Sequence, residues 1–411
     1  MKSEIDAFME KEDIDVIWVT GTGMHNPYMV YLLGEPCHIT RGDIIKKHGE
    51  AGIVFTNDME REEAAKSGLQ SRSYNQYRYR DLLTQAQNDE LKASVLMYEK
   101  IFRDMDIKTG NVAIFGEIDW GRGAILIQKL QSNFPDIHFL GSGRENVLTE
   151  AMITKDENEI AHIKKMGSLT GKVVANTADF LCSHKAEHDY LIKKDDSPLR
   201  VGDVKKQIQL WLAENGMEAP EGTIFAIGRD AGIPHSAGNN RDIIQLGKSI
   251  VFDIFPCEAG GGYCYDFTRT WCLGYAPDNV VKAYEDVLVI SRQLQNEVRV
   301  DIPFYQYQNQ VNEYFESKGH PTLRNAPDTQ KGYVHSVGHG VGLKVQERPF
   351  CGVSMVLSDK LIENSIFTIE PGLYYPEDGF GVRIEDTFQI KTGEKIKPLA
   401  DYPYDLVLPV H

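Results

Sequence analysis

Four carboxylates in the second half of the chain lie where a charged side chain is costly. Each is embedded in a strand-like run of apolar and aromatic residues: Asp253 in KSIVFDIFP, Asp266 in YCYDFTRTWCL, Glu370 in SIFTIEPGLYY and Glu385 in FGVRIEDTFQI. Near-continuous apolar runs are typical of strands that are covered on both faces. An ionised carboxylate that is buried there without a partner is strongly destabilising. The four acids, called the acid cluster below, therefore need a counter-charge.

The nearby cations in the sequence do not supply enough of that charge. Arg269 and Arg383 are the two arginines within these segments, and Asp386 is a candidate fifth acid. Carboxylates buried together raise each other's pKa values. Two divalent cations about 3.5–4 Å apart, clamped by bridging carboxylates, are a recurring hydrolytic device. The residue types therefore predict a centre for two divalent metal ions.

Two histidines lie among glycines in the segment YVHSVGHGVGL, at positions 335 and 339. A helix would place them on one face, but each glycine costs a helix about 1 kcal/mol. Glycine also lets a backbone approach an ion or ligand closely. We predict that His339 is a nitrogen ligand of the metals and that His335 lies on the substrate side. Any one of the acids alone would be explained better by a solvent-facing or edge position, and GHG alone by a turn.

The elements that must position these residues are two hairpins in a second domain. A glycine-rich turn separates Asp253 from Asp266, and a turn with Pro, Asp and Gly separates Glu370 from Glu385. Antiparallel strands joined by such turns bring each pair together.

Two domains are predicted, 1–150 and 151–411. In the first, apolar runs at 14–34 and 51–58 predict strands, and the alternation with later helical segments indicates an α/β domain. The capping-box pattern Thr154–Glu157 predicts the start of a long amphipathic helix that opens the second domain.

Composition excludes several classes of partner. The chain has 411 residues, of which 42% are hydrophobic and 25% charged, and its net charge is −16 without a basic cluster. This argues against nucleic acid, and no apolar run is long enough to span a membrane. The N-terminus has no apolar segment of the secretory type, and the six cysteines form no CxxC pair. We therefore expect a cytoplasmic protein with reduced thiols.

Five segments together resemble the "pita-bread" metallopeptidases, which include methionine aminopeptidase, aminopeptidase P, prolidase and the non-peptidase creatinase. They are VFDIF, YDFTRT, VGHGVGL, TIEPGLY and GVRIEDT, in that order. The resemblance covers about 153–411 and is closer to prolidase and aminopeptidase P. It implies an α+β fold, in which a C-terminal pita-bread catalytic domain follows a smaller α/β domain of the creatinase N-terminal kind.

The resemblance also implies roles for named residues. The metal ligands would be Asp253, Asp266, His339, Glu370 and Glu385. They would hold two divalent ions, with manganese preferred and cobalt, zinc or iron as alternatives. Asp266 and Glu385 would bridge the ions, and a hydroxide between the ions would attack the scissile carbonyl. The further catalytic roles would belong to Glu370 as proton shuttle, to His235 and His335 on the substrate side, and to Arg383 as an orienting group.

The implied function is the hydrolysis of Xaa-Pro bonds in peptides by a homodimer. Two alternatives are a creatinase-like hydrolase of a non-peptide C–N bond and a non-catalytic binding module on the same fold. The chain departs from the family in having Gln346, in GLKVQE, where a histidine is usual. The interval from Asp253 to Asp266 is also longer than usual, which predicts a reshaped hairpin beside the site.

Overall fold

The computed structural model describes residues 4–141, 143, 145–352 and 354–410. The chain divides into two compact units. One comprises the chain up to Met152 together with Gly260–Gly262, and the other comprises the remainder. Within the described ranges, no helix has the length and apolar character needed to cross a membrane.

The first unit is built on one mixed six-stranded sheet in the order β4-β3-β2-β1-β5-β6. Its strands are Val16–Gly21 (β1), Gly42–Lys47 (β2), Ile53–Thr56 (β3), Gln70–Ser73 (β4), Gly110–Gly116 (β5) and Ile137–Leu140 (β6). The helices are Ile5–Lys11 (α1), Pro27–Leu33 (α2), Arg61–Lys66 (α3), Tyr79–Gln85 (α4), Glu90–Asp104 (α5), Trp120–Asn133 (α6) and Val147–Ile153 (α7). Strand β1 pairs with β5 in parallel and with β2 antiparallel. Strands and helices thus alternate as predicted.

The prediction of strands across residues 14–34 is wrong in its second half, which forms helix α2. The Asn26 side chain accepts a hydrogen bond from the Met29 amide, and Pro27 occupies the first turn. Gly34 ends the helix with φ of 90°. Local capping therefore decides the conformation of an apolar run that, by composition alone, suits either element.

The second unit contains two four-stranded sheets, β10-β11-β13-β20 and β15-β14-β16-β19. The helices are Glu157–Cys182 (α8), Val201–Glu214 (α9), Asp278–Glu297 (α10) and Phe304–Ser317 (α11). The strands are Lys185–Glu187 (β7), Tyr190–Ile192 (β8), Met217–Glu218 (β9), Thr223–Ile227 (β10), Ser249–Ile254 (β11), Cys257–Glu258 (β12), Phe267–Leu273 (β13), His339–Gly340 (β14), Glu347–Phe350 (β15), Ile366–Ile369 (β16), Gly372–Tyr375 (β17), Phe380–Arg383 (β18), Asp386–Gln389 (β19) and Val407–Leu408 (β20). Helices α10 and α11 share one apolar core with the strands from β16 to β19.

Helix α8 has a capping box, but it lies two residues beyond the predicted one. The Asp156 carboxylate accepts hydrogen bonds from the amides of Asn158 and Glu159, and the Glu159 side chain accepts from the Asp156 amide. Two orphan amides at the helix start are thereby satisfied by carboxylates. Thr154 instead forms an isolated bridge with Ser365.

Candidate metal centre

The first hairpin places Asp253 and Asp266 on one face. Strands β11 and β13 are antiparallel, with Asp253 opposite Thr268. Asp266 precedes Thr268 by two residues, so the alternation of side chains directs both to the same face. The segment after Asp253, predicted to be reshaped, forms β12, which pairs with β9.

The second hairpin brings Glu370 and Glu385 together at a break in its strands. Strand β16 pairs with β19 through Ile369 and Asp386, and β17 pairs with β18 through Gly372 and Arg383. The register is the same on both sides of the break, which puts Glu370 opposite Glu385. A bridge between Thr268 and Glu385 joins this hairpin to the first.

His339 lies on β14, which is packed tightly between β15 and β16. A Cβ on Gly338 would lie 2.1 Å from the Thr368 carbonyl oxygen, and one on Gly340 would lie 2.3 Å from the Arg348 carbonyl group. These glycines are therefore required by close approach to neighbouring backbone. Whether they also let the backbone approach the ions stays a prediction. The His339 amide also donates to Thr368 Oγ1 at 3.1 Å.

The tertiary structure gathers the acid cluster and His339 around one cavity. His339 Nε2 lies 3.3 Å from Glu370 Oε1 and 3.5 Å from Asp266 Oδ2. Ligand atoms of Asp266, His339 and Glu385 all lie within 4.8 Å of one another, an arrangement that could hold a metal ion. The cavity measures about 550 Å³ and is also lined by His235, His335, Gln346 and Arg383.

Unpaired carboxylate oxygens show that these residues fit a metal. Asp253 Oδ1, Asp266 Oδ1 and Glu385 Oε1 are buried and have no hydrogen-bond partner among the described residues. Leaving such atoms without a partner is unfavourable. Three such oxygens on residues that line one cavity with the His339 imidazole form a donor set that suits a divalent transition metal.

In Asp253 and Glu385, the second carboxylate oxygen is held in place by a small network of hydrogen bonds. Arg383 Nη2 donates to Asp253 Oδ2, and Arg383 Nε donates to Thr268 Oγ1 at 3.3 Å. The Thr268 hydroxyl in turn donates to Glu385 Oε2 at 2.7 Å. A further bond from Arg383 Nη1 to the Tyr374 hydroxyl, at 2.9 Å, fixes the guanidinium. Each of these two carboxylates thus has one oxygen anchored by a hydrogen bond and one open oxygen, meaning one without a hydrogen-bond partner.

The electrostatics of the acid cluster reflect its shortage of positive charge. Burial raises the pKa of Asp266 well above its usual range, and repulsion from Asp253 and Glu370 raises that pKa further. Burial and repulsion from Asp266 raise the pKa of Glu385 in the same way. Burial raises the pKa of Glu370 to about 8, against the opposing effect of Arg383. The four acids therefore repel one another, as predicted.

Asp386 does not join the acid cluster, and Arg269 does not neutralise it. Arg269 Nη2 donates to Asp386 Oδ1 at 2.9 Å, and both side chains are buried. The Tyr404 hydroxyl donates to the other oxygen of Asp386 at 2.7 Å. Asp386 directly follows the bridged residue Glu385 in the chain and begins β19, so its side chain points to the opposite face. Arg383 is thus the one arginine lining the cavity among the described residues.

The imidazoles of His335 and His339 are neutral at neutral pH. Burial lowers the pKa of His339 to about 4, and burial together with Arg383 lowers the pKa of His335 to about 3. His335 Nδ1 lies 3.1 Å from the Ser336 carbonyl and 3.3 Å from Glu370 Oε2. A neutral His335 donates from Nδ1 to these acceptors. Its Nε2 then accepts from His235 Nε2 at 3.1 Å.

Sequence reasoning missed several residues of the cavity. Tyr374 fixes Arg383, and Lys205 and Lys206 line the cavity from helix α9. Tyr374 follows Glu370 closely in the same motif, so proximity to Glu370 was a usable signal. Nothing in the sequence connects α9 to the acids, because that contact depends on the tertiary fold.

Comparisons with known proteins agree with the geometry. The model of metallopeptidase family M24 matches residues 161–392, more than half of the chain. The Xaa-Pro dipeptidase of Pyrococcus horikoshii is 25% identical over 394 residues, which cover 95% of both chains.

Two solved structures show the same fold. The prolidase from Pyrococcus furiosus superposes with a TM-score of 0.72 at 22% identity, and 97% of this chain and 99% of that chain are covered. The X-Pro aminopeptidase from Thermotoga maritima gives a TM-score of 0.72 at 20% identity, and 98% of each chain is covered. The predicted α+β pita-bread fold is confirmed.

Proposed function

Because the chain belongs to metallopeptidase family M24, we propose that it hydrolyses Xaa-Pro bonds of peptides at the cavity described above. The observation that carries this proposal is the set of three buried, unpaired carboxylate oxygens on residues that line one cavity with His339. The similar Xaa-Pro dipeptidase supports proline peptides as the substrate class. The proposed ligands of two divalent ions are Asp253, Asp266, His339, Glu370 and Glu385.

The protein side of the reaction follows from the contacts. When bound, divalent ions polarise a carbonyl and activate water. Arg383 and Thr268 each hold one carboxylate oxygen, of Asp253 and of Glu385 respectively, which leaves the second oxygen of each acid to bind a metal ion. Glu370 takes up a proton and delivers it to the departing nitrogen, a role that its position at the cavity, with Oε2 3.3 Å from His335 Nδ1, supports.

The two substrate-side histidines act as a hydrogen-bonded pair in this proposal, in which His335 is neutral. His335 donates from Nδ1 and accepts from His235 at Nε2. The pair therefore forms one polar wall whose orientation is set by the protein. We propose that this wall positions the peptide for attack, and that Arg383 orients the acids opposite the wall.

Manganese is the proposed physiological metal, with cobalt, zinc or iron as alternatives, since oxygen-rich ligands with one imidazole suit these ions.

We further propose that the protein is a cytoplasmic homodimer. All six cysteines lie within the described residues and none forms a disulfide, which supports a reducing compartment. Trp120, whose side chain is 86% exposed, and Ile118 offer apolar surface to a second copy. Light scattering of the intact chain would measure the mass of the assembly.

We also propose the domain division 1–150 and 151–411, which the two compact units support.

We expect protein stripped of metal and reconstituted with manganese to bind about two ions per chain and to cleave Xaa-Pro members of a peptide library. The four buried acids share the cavity with a single arginine among the described lining residues, so they need about the positive charge of two divalent ions. Elemental analysis and mass spectrometry of the products provide the two measurements. Absence of bound metal would exclude the metallopeptidase and leave the creatinase-like hydrolase and the binding module, because creatinase lacks the metal ligands. Bound metal without cleavage of any Xaa-Pro peptide would contradict the proposed substrate class.

We expect Gln346→His to raise the rate on Xaa-Pro peptides roughly tenfold, about 1.4 kcal/mol of transition-state stabilisation. Gln346 lines the cavity with His335, and a protonated imidazole offers a charge-assisted hydrogen bond that a neutral amide lacks. The gain should be largest at mildly acidic pH, where a histidine of ordinary pKa is charged. The measurement is the pH–rate profile of both forms at equal metal content.

Two other results would reject this role for Gln346. Identical profiles would mean that its side chain does not contact the substrate. A lower rate for the histidine variant would mean that the cavity is adapted to a substrate that needs the amide.

A further inference from the structure

The metal-binding cavity has a second wall that the proposed chemistry leaves unused. Helix α9 contributes Lys205 and Lys206 to this wall, and the segment before β10 contributes Glu221. The acid cluster and the histidines belong to the other elements of the cavity. The α9 wall therefore faces the substrate without taking part in bond cleavage.

Lys205 lies on this wall without a carboxylate partner. Its Nζ donates to the Ala237 carbonyl and lies 3.5 Å from the Gly238 carbonyl. The side chain is half-buried, and burial lowers the pKa of the ammonium group, an effect that Asp230 opposes. The Asp230 carboxylate instead accepts a hydrogen bond from the Asn239 amide at 3.2 Å. Among the described residues, no carboxylate lies within ion-pair distance of Lys205.

The charge of Lys205 is therefore open to a ligand. An ammonium group has three N–H donors and no acceptor, and the neighbouring carbonyls account for two of these donors. The other buried cation of the cavity, Arg383, already donates to Asp253. Lys206 is exposed and adds positive charge to the same wall, where Glu221 is also exposed.

We propose that Lys205, assisted by Lys206, binds a carboxylate of the substrate. The inference rests on the proposed function, because it places a peptide in this cavity. Two parts of a peptide supply that chemistry. One is the C-terminal carboxylate of a dipeptide, and the other is an acidic side chain on the residue before proline. In either case Lys205 is a specificity-determining residue, since it distinguishes charged from uncharged forms of otherwise equal substrates.

A purely structural role makes a different prediction. Lys205 contacts the carbonyls of Ala237 and Gly238, which follow His235 closely in the chain. If Lys205 only holds this loop, its loss displaces His235 and lowers the rate on every substrate alike. The pattern of loss across substrates therefore separates the two roles.

The test compares two matched pairs of substrates in manganese-reconstituted enzyme. Ala-Pro and Ala-Pro amide differ only at the C-terminus, and Asp-Pro amide and Asn-Pro amide differ only in the first side chain. We expect Lys205→Met to raise KM about tenfold for the charged member of one pair, with kcat nearly unchanged. The affected pair identifies the source of the carboxylate. Lys205→Arg should retain the preference, as should the control Lys165→Met at an exposed position of α8.

Binding of uncleavable analogues keeps this test independent of turnover. In these analogues a methylene replaces the scissile carbonyl, and calorimetry measures their dissociation constants with wild-type and Lys205→Met protein. Weaker binding of the charged analogue alone supports the carboxylate site, even if no proline peptide is hydrolysed and the proposed function fails. Equal effects on charged and uncharged analogues, or no effect on either, overturn the site.

Discussion

Glu385→Gln and Asp266→Asn are each expected to reduce hydrolysis at least about a thousandfold, a loss of roughly 4 kcal/mol of transition-state stabilisation. Each change keeps the shape of the side chain and removes the charge of a proposed bridging ligand. Glu385 Oε1 and Asp266 Oδ1 are two of the three unpaired carboxylate oxygens of the site, so neutralising either residue should weaken the proposed metal centre. The measurement is kcat/KM with manganese, together with bound metal per chain.

Folding provides the control for these two variants. Each removes one of the mutually repelling charges, so the metal-free variants should melt at a higher temperature than metal-free wild type. Asp378→Asn, an exposed change at the tip of the hairpin that carries Glu385, should leave activity and metal content unaltered. Activity of either ligand variant within a few-fold of wild type would show that the acids are structural.

Removal of metal should make stability fall as pH rises. The folded-state pKa of Glu370 is about 8, above its ordinary value of 4.5, and those of Asp266 and Glu385 are raised in the same direction. At pH values between the ordinary and the raised pKa, the folded metal-free protein therefore binds more protons than the unfolded chain. Stability is then highest below the ordinary pKa and declines as pH rises through the folded pKa.

We expect the melting temperature of metal-free protein to drop by more than about 5 °C between about pH 5 and pH 8. Added manganese should abolish most of this drop, because the ions replace the protons as counter-charge. Glu370→Gln should make the drop smaller in the metal-free form, which separates the contribution of the acid cluster from that of other titrating groups. Equal pH dependence of the wild type, with and without metal, would contradict this account.

Several features of the site followed from the sequence because they are local. An acid inside an apolar run is visible without a structure, as for Asp253 and Glu385, and the burial expected of such runs is found. The turn between each pair of acids also predicted the hairpins, since antiparallel pairing needs only a short connection. The order of the five motifs identified the fold, which the solved structures confirm.

Other features depended on competition between neighbouring groups. Residues 27–33 have a strand-like composition, yet the Asn26 cap and the first-turn proline make them helical. Asp386 has the same composition around it as Glu385 but lies on the opposite face, where Arg269 meets it. Composition does not reveal which side chains of a strand face the cavity, because a shift of the strand by one residue moves every side chain to the opposite face.

The sequence by itself determined the residue types of the centre, the hairpins that carry the acids and the need for positive charge among them. Only the tertiary structure decided which oxygens remain open, through the bonds that Arg383 and Thr268 make to Asp253 and Glu385. It also decided that Lys205 on α9 lines the same cavity. The physical reason is that burial and hydrogen bonding depend on contacts between segments far apart in the chain, which no local pattern of residues encodes.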